Sequence, residues 1–282
     1  MSEIILAETA GFCFGVTRAV DTAIEAAKSA GETIYTYGHL IHNAQVVEDL
    51  KTRKIVSVTD EEADKLPAGA KIIIRSHGIG RKTEEKLRAE GLDVIDATCP
   101  FVKKIHGIVS APENASKTVI IVGDPTHPEV IGIRGWCVGE SFVISDEKDA
   151  EKLPEIADAI IVSQTTFNPE KFEKIVEKIK IKCYINYVMN TICSATWQRQ
   201  EEALRIARSV DVMIVVGDPE SSNSQKLYSI CKSACKNTQF VQSADELNNA
   251  HLLSAQKVGI TAGASTPGNI IQEVLGYVRT KL

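Results

Sequence analysis

Three cysteines, Cys13, Cys99 and Cys193, share a context that recurs along the chain, although no two of them are close in sequence. Each is followed by a helical stretch, then by a β-branched strand, then by a glycine that opens a polar turn. That glycine lies 25 residues after Cys13 (Gly38), 24 after Cys99 (Gly123) and 24 after Cys193 (Gly217). Thiolates are soft donors, so three of them gathered at one point suit an iron-sulfur cluster or zinc. A structural zinc normally takes four protein ligands, so a set of three reads as a metal site with a position left open for substrate. Taken alone, any one of these cysteines reads as a small buried hydrophobe. Cys137, Cys183, Cys231 and Cys235 fall outside the repeat and are read that way.

The polar turns carry a second set of groups: His42, His77, His127, Glu129, Thr165, Thr166, Ser221, Ser222, Asn223 and Ser265. Few are cationic at neutral pH, but neutral donors, backbone N–H groups and helix N-termini together make an anion pocket. The Ser, Thr and Asn side chains also read as helix caps, a role compatible with holding a phosphate. Glu129 follows His127 by two residues, with Pro128 restricting the chain between them. It is the expected proton donor, with its acidity weakened if the turn is enclosed. The competing reading is an exposed turn carboxylate.

These residues need elements that bring them to common ground. Apolar positions Val16, Val20, Ile24 and Ala27 predict a helix over 16–30, ended by Gly31, with a strand over 33–37. The second repeat predicts a helix over 101–109 and a strand over 118–122; the third predicts a helix over 195–210 and a strand over 212–216. Each repeat continues through another helix and strand (72–74, 160–162, 258–260) to a further small or polar turn holding His77, Thr165 or Ser265. Alternating strands and helices imply α/β architecture with mainly parallel sheets, whose ligands sit beyond the carboxyl ends of the strands. The expected organisation is three tandem pseudo-repeated units. Residues 1–97 would carry Cys13, His42 and His77. Residues 98–191 would carry Cys99, His127, Glu129 and Thr165, and residues 192–282 Cys193, Ser221, Ser222, Asn223 and Ser265. Packed around a pseudo-threefold axis as a trefoil, they would share one central site.

Composition narrows the class. At 282 residues and 44% hydrophobic content the chain can fill a substantial core. Seven cysteines, an odd number, and an N-terminus without a basic region or long apolar run point to a reducing cytoplasm. No apolar run approaches the roughly 18 residues of a membrane span. A net charge of −5 argues against a nucleic-acid binder that must displace phosphate counterions. The alternating charges over 170–182 read as a solvated helix face. No Gly-x-Gly-x-x-Gly turn is present for a nicotinamide or flavin. Small molecules and proteins are the expected partners, and the chain is expected to be a monomer.

A family resemblance rests on the same residues. Gly-Phe-Cys13-Phe-Gly-Val-x-Arg-Ala-Val, Ile-His42-Asn, Ser-His77-Gly, Asp-Ala-Thr-Cys99-Pro, His127-Pro-Glu129, Gln-Thr165-Thr, Thr-Ile-Cys193-x-Ala-Thr, Ser221-Ser-Asn-Ser and Thr-Ala-Gly-Ala-Ser265-x-Pro run in order across nearly the whole chain. Together they resemble the LytB family of 4-hydroxy-3-methylbut-2-enyl diphosphate reductases, the last enzymes of the methylerythritol phosphate route to isoprenoids. The resemblance implies a three-domain trefoil around a [4Fe-4S] cluster held by Cys13, Cys99 and Cys193, with one iron not ligated by cysteine. It implies that His42, His77, His127, Ser221, Ser222, Asn223 and Ser265 hold the substrate diphosphate. Glu129 would deliver protons with Thr165 assisting, and a ferredoxin or flavodoxin would supply electrons. His39, Asp124, Pro125 and Trp197 are variable places that bear on the pocket rim. Some relatives append an RNA-binding domain; none is expected after Leu282. Two rivals from other classes are a non-catalytic iron or redox sensor in the same cysteine cradle and a cysteine-nucleophile diphosphate hydrolase with His127 as base.

Overall fold

The computed structural model describes residues 3–282. Its strands form three four-stranded sheets in which every pairing is parallel. Strands β2 (Ile34–Tyr37), β3 (Ile55–Val58), β4 (Lys71–Ile74) and β5 (Asp93–Asp96) pair in the order β3-β2-β4-β5. Strands β6 (Thr118–Val122), β7 (Ser141–Ile144), β8 (Ile156–Ser163) and β9 (Cys183–Val188) pair as β7-β6-β8-β9. The last sheet joins β10 (Val212–Val216), β11 (Thr238–Val241) and β12 (Lys257–Ala262) with β1 (Glu3–Leu6), in the order β1-β12-β10-β11.

The three orders follow one plan: a first strand, its successor on one side, the next strand on the other, and a fourth strand outside that. In the first two sheets the fourth strand comes next in sequence, but in the third it is β1, from the start of the chain. The three-unit boundary at residue 97 therefore places β1 with a different sheet from the one it joins. The open edge of β12 needs a parallel partner, and β1 supplies it through the register Glu3 with Lys257 to Leu6 with Ile260. As a result each cysteine follows the fourth strand of a sheet: Cys99 after β5, Cys193 after β9, Cys13 after β1.

By compactness the chain forms two units. One comprises Met1–Thr17, Ile41–Asp49 and Ser194–Leu282, and holds the third sheet. The other comprises Arg18–Leu40 and Leu50–Cys193, and holds the first two.

The central strands are continuous apolar runs because parallel sheets are covered on both faces. Ile72, Ile73 and Ile74 of β4, Val119–Val122 of β6 and all of β10 are buried. In the third sheet Val212, Ile214 and Val216 pack to one side with Ile270, Val274 and Val278. Met213 and Val215 face the other side with Ala203, Ile206 and Leu227. The alternation is the period-2 pattern of a strand with helices on both faces.

Helix Pro169–Lys182 buries Phe172, Ile175, Val176 and Ile179 and turns its charges outward, as its pattern predicts. The helix after Cys193 stops at Ala207, short of the expected 210. There the Ser209 backbone N–H and hydroxyl both donate to the carbonyl of Ile206, a local alternative to the next helical turn. Strand β8 starts earlier than expected, at Ile156, and reaches full length across an irregular register against β9. Among the described residues, no helix is long and apolar enough to cross a membrane.

Candidate active site

In the unit that contains the first two sheets, the candidate residues lie in turns after the carboxyl ends of strands. His77 is in the turn after β4, Cys99 after β5, His127 and Glu129 after β6, Thr165 after β8 and Cys193 after β9. Backbone hydrogen bonds tie these turns together. The Cys99 N–H donates to the Ser76 carbonyl at 2.9 Å, beside His77, and the Cys193 N–H donates to the Thr165 carbonyl at 2.9 Å. Arg18 braces the approach to Cys99, with Nη1 on the Thr98 carbonyl at 3.0 Å and Nη2 on that of Asp96.

Cys99 caps helix Pro100–Ser110, whose first-turn proline supplies a helical φ and lacks the N–H that would otherwise be orphaned there. His127 caps helix Pro128–Trp136 in the same way, but with its ring: Nδ1 accepts the Glu129 N–H at 3.1 Å. An accepting Nδ1 carries no proton, which assigns the imidazole proton to Nε2. The His127 and His77 rings meet edge to face, with centroids 5.2 Å apart.

Glu129 is 1% exposed, so it is not a solvated turn carboxylate. Thr165 grips both of its oxygens: the backbone N–H donates to Oε1 at 2.6 Å and the hydroxyl to Oε2 at 2.7 Å. Gln164, fully buried, joins the two turns that meet here. Its Oε1 accepts the Asp124 N–H at 3.1 Å, and its Nε2 donates to the Thr166 hydroxyl at 3.1 Å. The close approach depends on Gly123, where a Cβ would fall 2.7 Å from Val130 and 3.0 Å from the Gln164 Cβ.

The other unit presents Cys13, Ser221, Ser222, Asn223 and Ser265 in the same position relative to its sheet, while its His42 lies in the turn after β2 of the first sheet. Cys13 follows β1 and begins helix Phe14–Ala30, and its N–H donates to the Ala264 carbonyl at 3.2 Å. The neighbouring Ser265 hydroxyl lies 2.8 Å from the His42 carbonyl, to which it donates, and 3.4 Å from Ser221 Oγ. Ser221 caps helix Ser222–Ala234 by accepting the Ser224 N–H, so capping and site placement coincide in one residue. Ser222 is half-buried. Asn223 is buried, and neither of its side-chain amide atoms has a hydrogen-bond partner among the described residues. The loop to Cys13 is held by Glu202, which accepts from the N–H groups of Glu8 and Thr9 and from the Thr9 hydroxyl. Burial alone would raise the Glu202 pKa, but these donors and Arg205 together hold it below the usual carboxylate range.

All seven cysteines are thiols outside any disulfide, and they divide into two groups. Cys183, Cys231 and Cys235 are buried. Burial raises the thiol pKa of Cys183, that of Cys231 to about 12, and that of half-buried Cys137 to about 11. Such thiols are poor metal ligands and suit structural roles. Cys13, Cys99 and Cys193 are half-buried and each sits where a helix begins, at the positive end of its dipole. Each is a soft, reachable donor of the kind that ligates iron-sulfur clusters.

Two residues of this region were not among the candidates. Gln164 had a signal, its place in the Gln-Thr-Thr segment. His106 had none, since it lies mid-helix at an apolar position and is buried.

Parallel α/β sheets whose strand-end turns carry thiols, imidazoles and buried carboxylates define the class as an α/β enzyme with its site beyond the strand ends. The chain belongs to the LytB protein family, whose profile matches residues 4–279. It is 45% identical over 279 residues to the 4-hydroxy-3-methylbut-2-enyl diphosphate reductase of Caldanaerobacter subterraneus subsp. tengcongensis, covering 99% of this chain and 97% of that one. A solved (E)-4-hydroxy-3-methyl-but-2-enyl diphosphate reductase, described as the terminal enzyme of the non-mevalonate pathway, is 42% identical. Its TM-score is 0.73, with 99% of this chain and 100% of that chain covered. The E-1-hydroxy-2-methyl-but-2-enyl-4-diphosphate reductase from Plasmodium falciparum is 29% identical with a TM-score of 0.89, covering 99% of this chain and 87% of that one. The family indicated by the motifs and the parallel α/β fold are thus both borne out.

Proposed function

We propose that this chain reductively dehydroxylates 4-hydroxy-3-methylbut-2-enyl diphosphate to isopentenyl and dimethylallyl diphosphate, the last step of the methylerythritol phosphate route. The reaction consumes two electrons and two protons, breaks the C4–O bond and releases the oxygen as water. The observation that carries the reading is the buried Glu129, gripped by Thr165 beside His127 in the turn after β6, just as Cys99 and Cys193 stand in the turns after β5 and β9. A sensor has no use for such a carboxylate, and a cysteine hydrolase would need only one of the three cysteines.

In this reading Cys13, Cys99 and Cys193, one from each of three pseudo-repeated domains, hold a [4Fe-4S] cluster whose fourth iron has no cysteine ligand. Such a cluster supplies a Lewis acid for the leaving oxygen and low-potential electrons one at a time. His42, His77, His127, Ser221, Ser222, Asn223 and Ser265 hold the diphosphate. Charge-assisted hydrogen bonds contribute roughly 1.5–3 kcal/mol each, so several suffice for micromolar affinity. Glu129 holds the proton that leaves with the hydroxyl. Thr165 Oγ1 donates to Oε2 when the carboxylate is charged, and can turn to accept when Oε2 is protonated, so one hydroxyl serves both states. A ferredoxin or flavodoxin delivers the electrons, and the enzyme works as a cytoplasmic monomer.

Anaerobic purification with iron and sulfide analysis and a visible spectrum tests this directly. Near-stoichiometric four-iron content that depends on all three cysteines, with a spectrum perturbed by substrate, is expected. A colourless, iron-free protein with unchanged turnover would overturn the reading and favour the hydrolase.

A further inference from the structure

The turn that carries His77 is clamped from two sides by residues that have no place in the proposed chemistry. On one side is His106, in the middle of the Cys99 helix. Gly78, at φ +72°, has no side chain where His106 needs room: a Cβ there would lie 2.7 Å from His106 Cε1 and 3.1 Å from Thr98 Cγ2. The His106 ring stacks on Trp136, with centroids 5.2 Å apart and planes within 15°. Arg81 covers the Trp136 ring, with Cζ 4.8 Å from a ring centroid, and the indole N–H donates to the Ile79 carbonyl at 2.8 Å.

On the other side lies the helix that begins with Glu129. Two of its glycines meet the His77 segment backbone to backbone. A Cβ on Gly132 would sit 3.6 Å from the carbonyl oxygens of His77 and Gly78, and one on Gly135 would sit 2.6 Å from the Gly80 Cα. Trp136 follows directly on this face. The clamp therefore ties together three segments: the His77 turn, the Cys99 helix through His106, and the Glu129 helix through Gly132, Gly135 and Trp136. Stacked rings and close-packed backbone have few soft degrees of freedom, so they fix position where loops alone would not.

His106 is an unusual choice for a packing residue. It is 6% exposed, and its Nε2 is buried with no hydrogen-bond partner among the described residues. An unpaired buried polar group costs stability, so local stability alone does not explain a histidine here. What the ring provides is a flat, narrow edge beneath Gly78.

We propose that His106 and Trp136 are positioning residues that set His77 relative to Cys99 and Glu129, acting through the shape of the stacked rings rather than through a proton. This deepens the proposed function, since it needs His77 to hold the diphosphate. The test is calorimetric titration of the anaerobically purified protein with inorganic diphosphate, with iron content and thermal midpoint measured on the same samples. His106→Ala removes the floor of the turn and is expected to weaken diphosphate binding about 10-fold or more, the scale of a misplacement near 1 Å. His106→Phe keeps a flat ring and is expected to stay within about 3-fold of wild type, on the same geometric argument. Trp136→Phe keeps the stack but loses the bond to Ile79, and should fall between the two. A His106→Ala protein that keeps its iron, melts lower and binds diphosphate like wild type would make the role structural only and overturn the inference alone. Loss of affinity in His106→Phe equal to that in His106→Ala would overturn the shape argument. A wild-type protein with no affinity for diphosphate would overturn both this inference and the proposed function.

Discussion

Two turns of the molecule start from the same three residues and end in different chemistry. After β6 the chain runs Gly123-Asp124-Pro125 and then Thr-His-Pro-Glu129; after β10 it runs Gly217-Asp218-Pro219 and then Glu-Ser-Ser-Asn223. In both, the aspartate builds the bend by accepting the N–H two residues on, at 2.9 Å for Thr126 and 2.8 Å for Glu220. In both, the next helix is capped by a side chain, His127 in one and Ser221 in the other. The turns diverge in what they leave satisfied. Glu129 has protein donors on both oxygens, whereas the Asn223 amide is buried with neither atom engaged among the described residues. A group that must hold and release a proton is best oriented in advance by the protein, while a group that must bind an anion keeps its donors open. One backbone plan thus serves either task, depending on whether a second turn supplies the partner, as Thr165 does for Glu129.

If that division is right, the two turns should fail in different ways. The largest effect is expected from Glu129→Gln, which removes the proton and keeps the shape. Its amide oxygen can still accept the Thr165 N–H, and the Thr165 hydroxyl can turn to accept from the amide nitrogen. Turnover should fall by about 100- to 10,000-fold, the usual contribution of a positioned acid, with diphosphate affinity little changed. An equal loss of affinity, read by calorimetry, would break the distinction. Asn223→Ala should show the opposite: affinity lower by about 10- to 100-fold, corresponding to one charge-assisted hydrogen bond. Its thermal midpoint should be at least that of wild type, because a buried amide without partners has been removed. A drop in midpoint would mean that Asn223 is satisfied in the free protein and that the contrast is false.

Thr165 sharpens the comparison from the other direction. Thr165→Val removes the hydroxyl from Glu129 Oε2 but leaves the N–H to Oε1, so an approximately 10-fold loss of turnover is expected, small beside that of Glu129→Gln. Thr165→Ser should recover most of it. No difference between Val and Ser at this position would exclude the hydroxyl from proton handling.

Much of this is legible in the sequence, and unevenly so. The strands over 118–122 and 212–216 were readable to the residue because both faces of a parallel strand are apolar and turn residues bound each run. The site turns were readable because glycine and polar residues stand where chain direction must change. Strand β1 was not legible as part of the third sheet: four residues at the start of a chain carry no mark of which distant edge they will complete. His106 was hidden for a related reason. A helix interior presents it as one more core position, and its meaning depends on Gly78, a residue 28 positions earlier whose missing side chain makes the space. The buried pairing of Glu129 with Thr165 lies between these extremes, since each residue was singled out but their contact across 36 positions was not.

The smallest effect concerns the loop to Cys13 and appears as a pH dependence. Glu202 is held below the usual carboxylate range in the folded chain by the Thr9 hydroxyl and the N–H groups of Glu8 and Thr9, against the opposing effect of its partial burial. A depressed folded pKa means that the unfolded chain binds the proton more readily. The stabilisation is therefore complete above the unfolded glutamate pKa of about 4.3 and is lost as pH falls through the lower, folded value. His106 adds to the same acid limb from a higher pH. Burial lowers its pKa to about 4, against the pull of Asp96 and with a smaller contribution from Lys103, so the unfolded chain takes up its proton first. From about pH 6.5 down to 4 that difference removes stability progressively. Thermal midpoints measured from pH 7 to pH 3 should separate the two. His106→Phe should flatten the decline between pH 6.5 and 4, and Glu202→Gln should lower the midpoint at neutral pH and flatten the decline only below about pH 4.5. If Glu202→Gln leaves the neutral midpoint and the acid limb unchanged, its three hydrogen bonds do not hold the loop that presents Cys13. The ordering of that cysteine must then come from its own bond to Ala264.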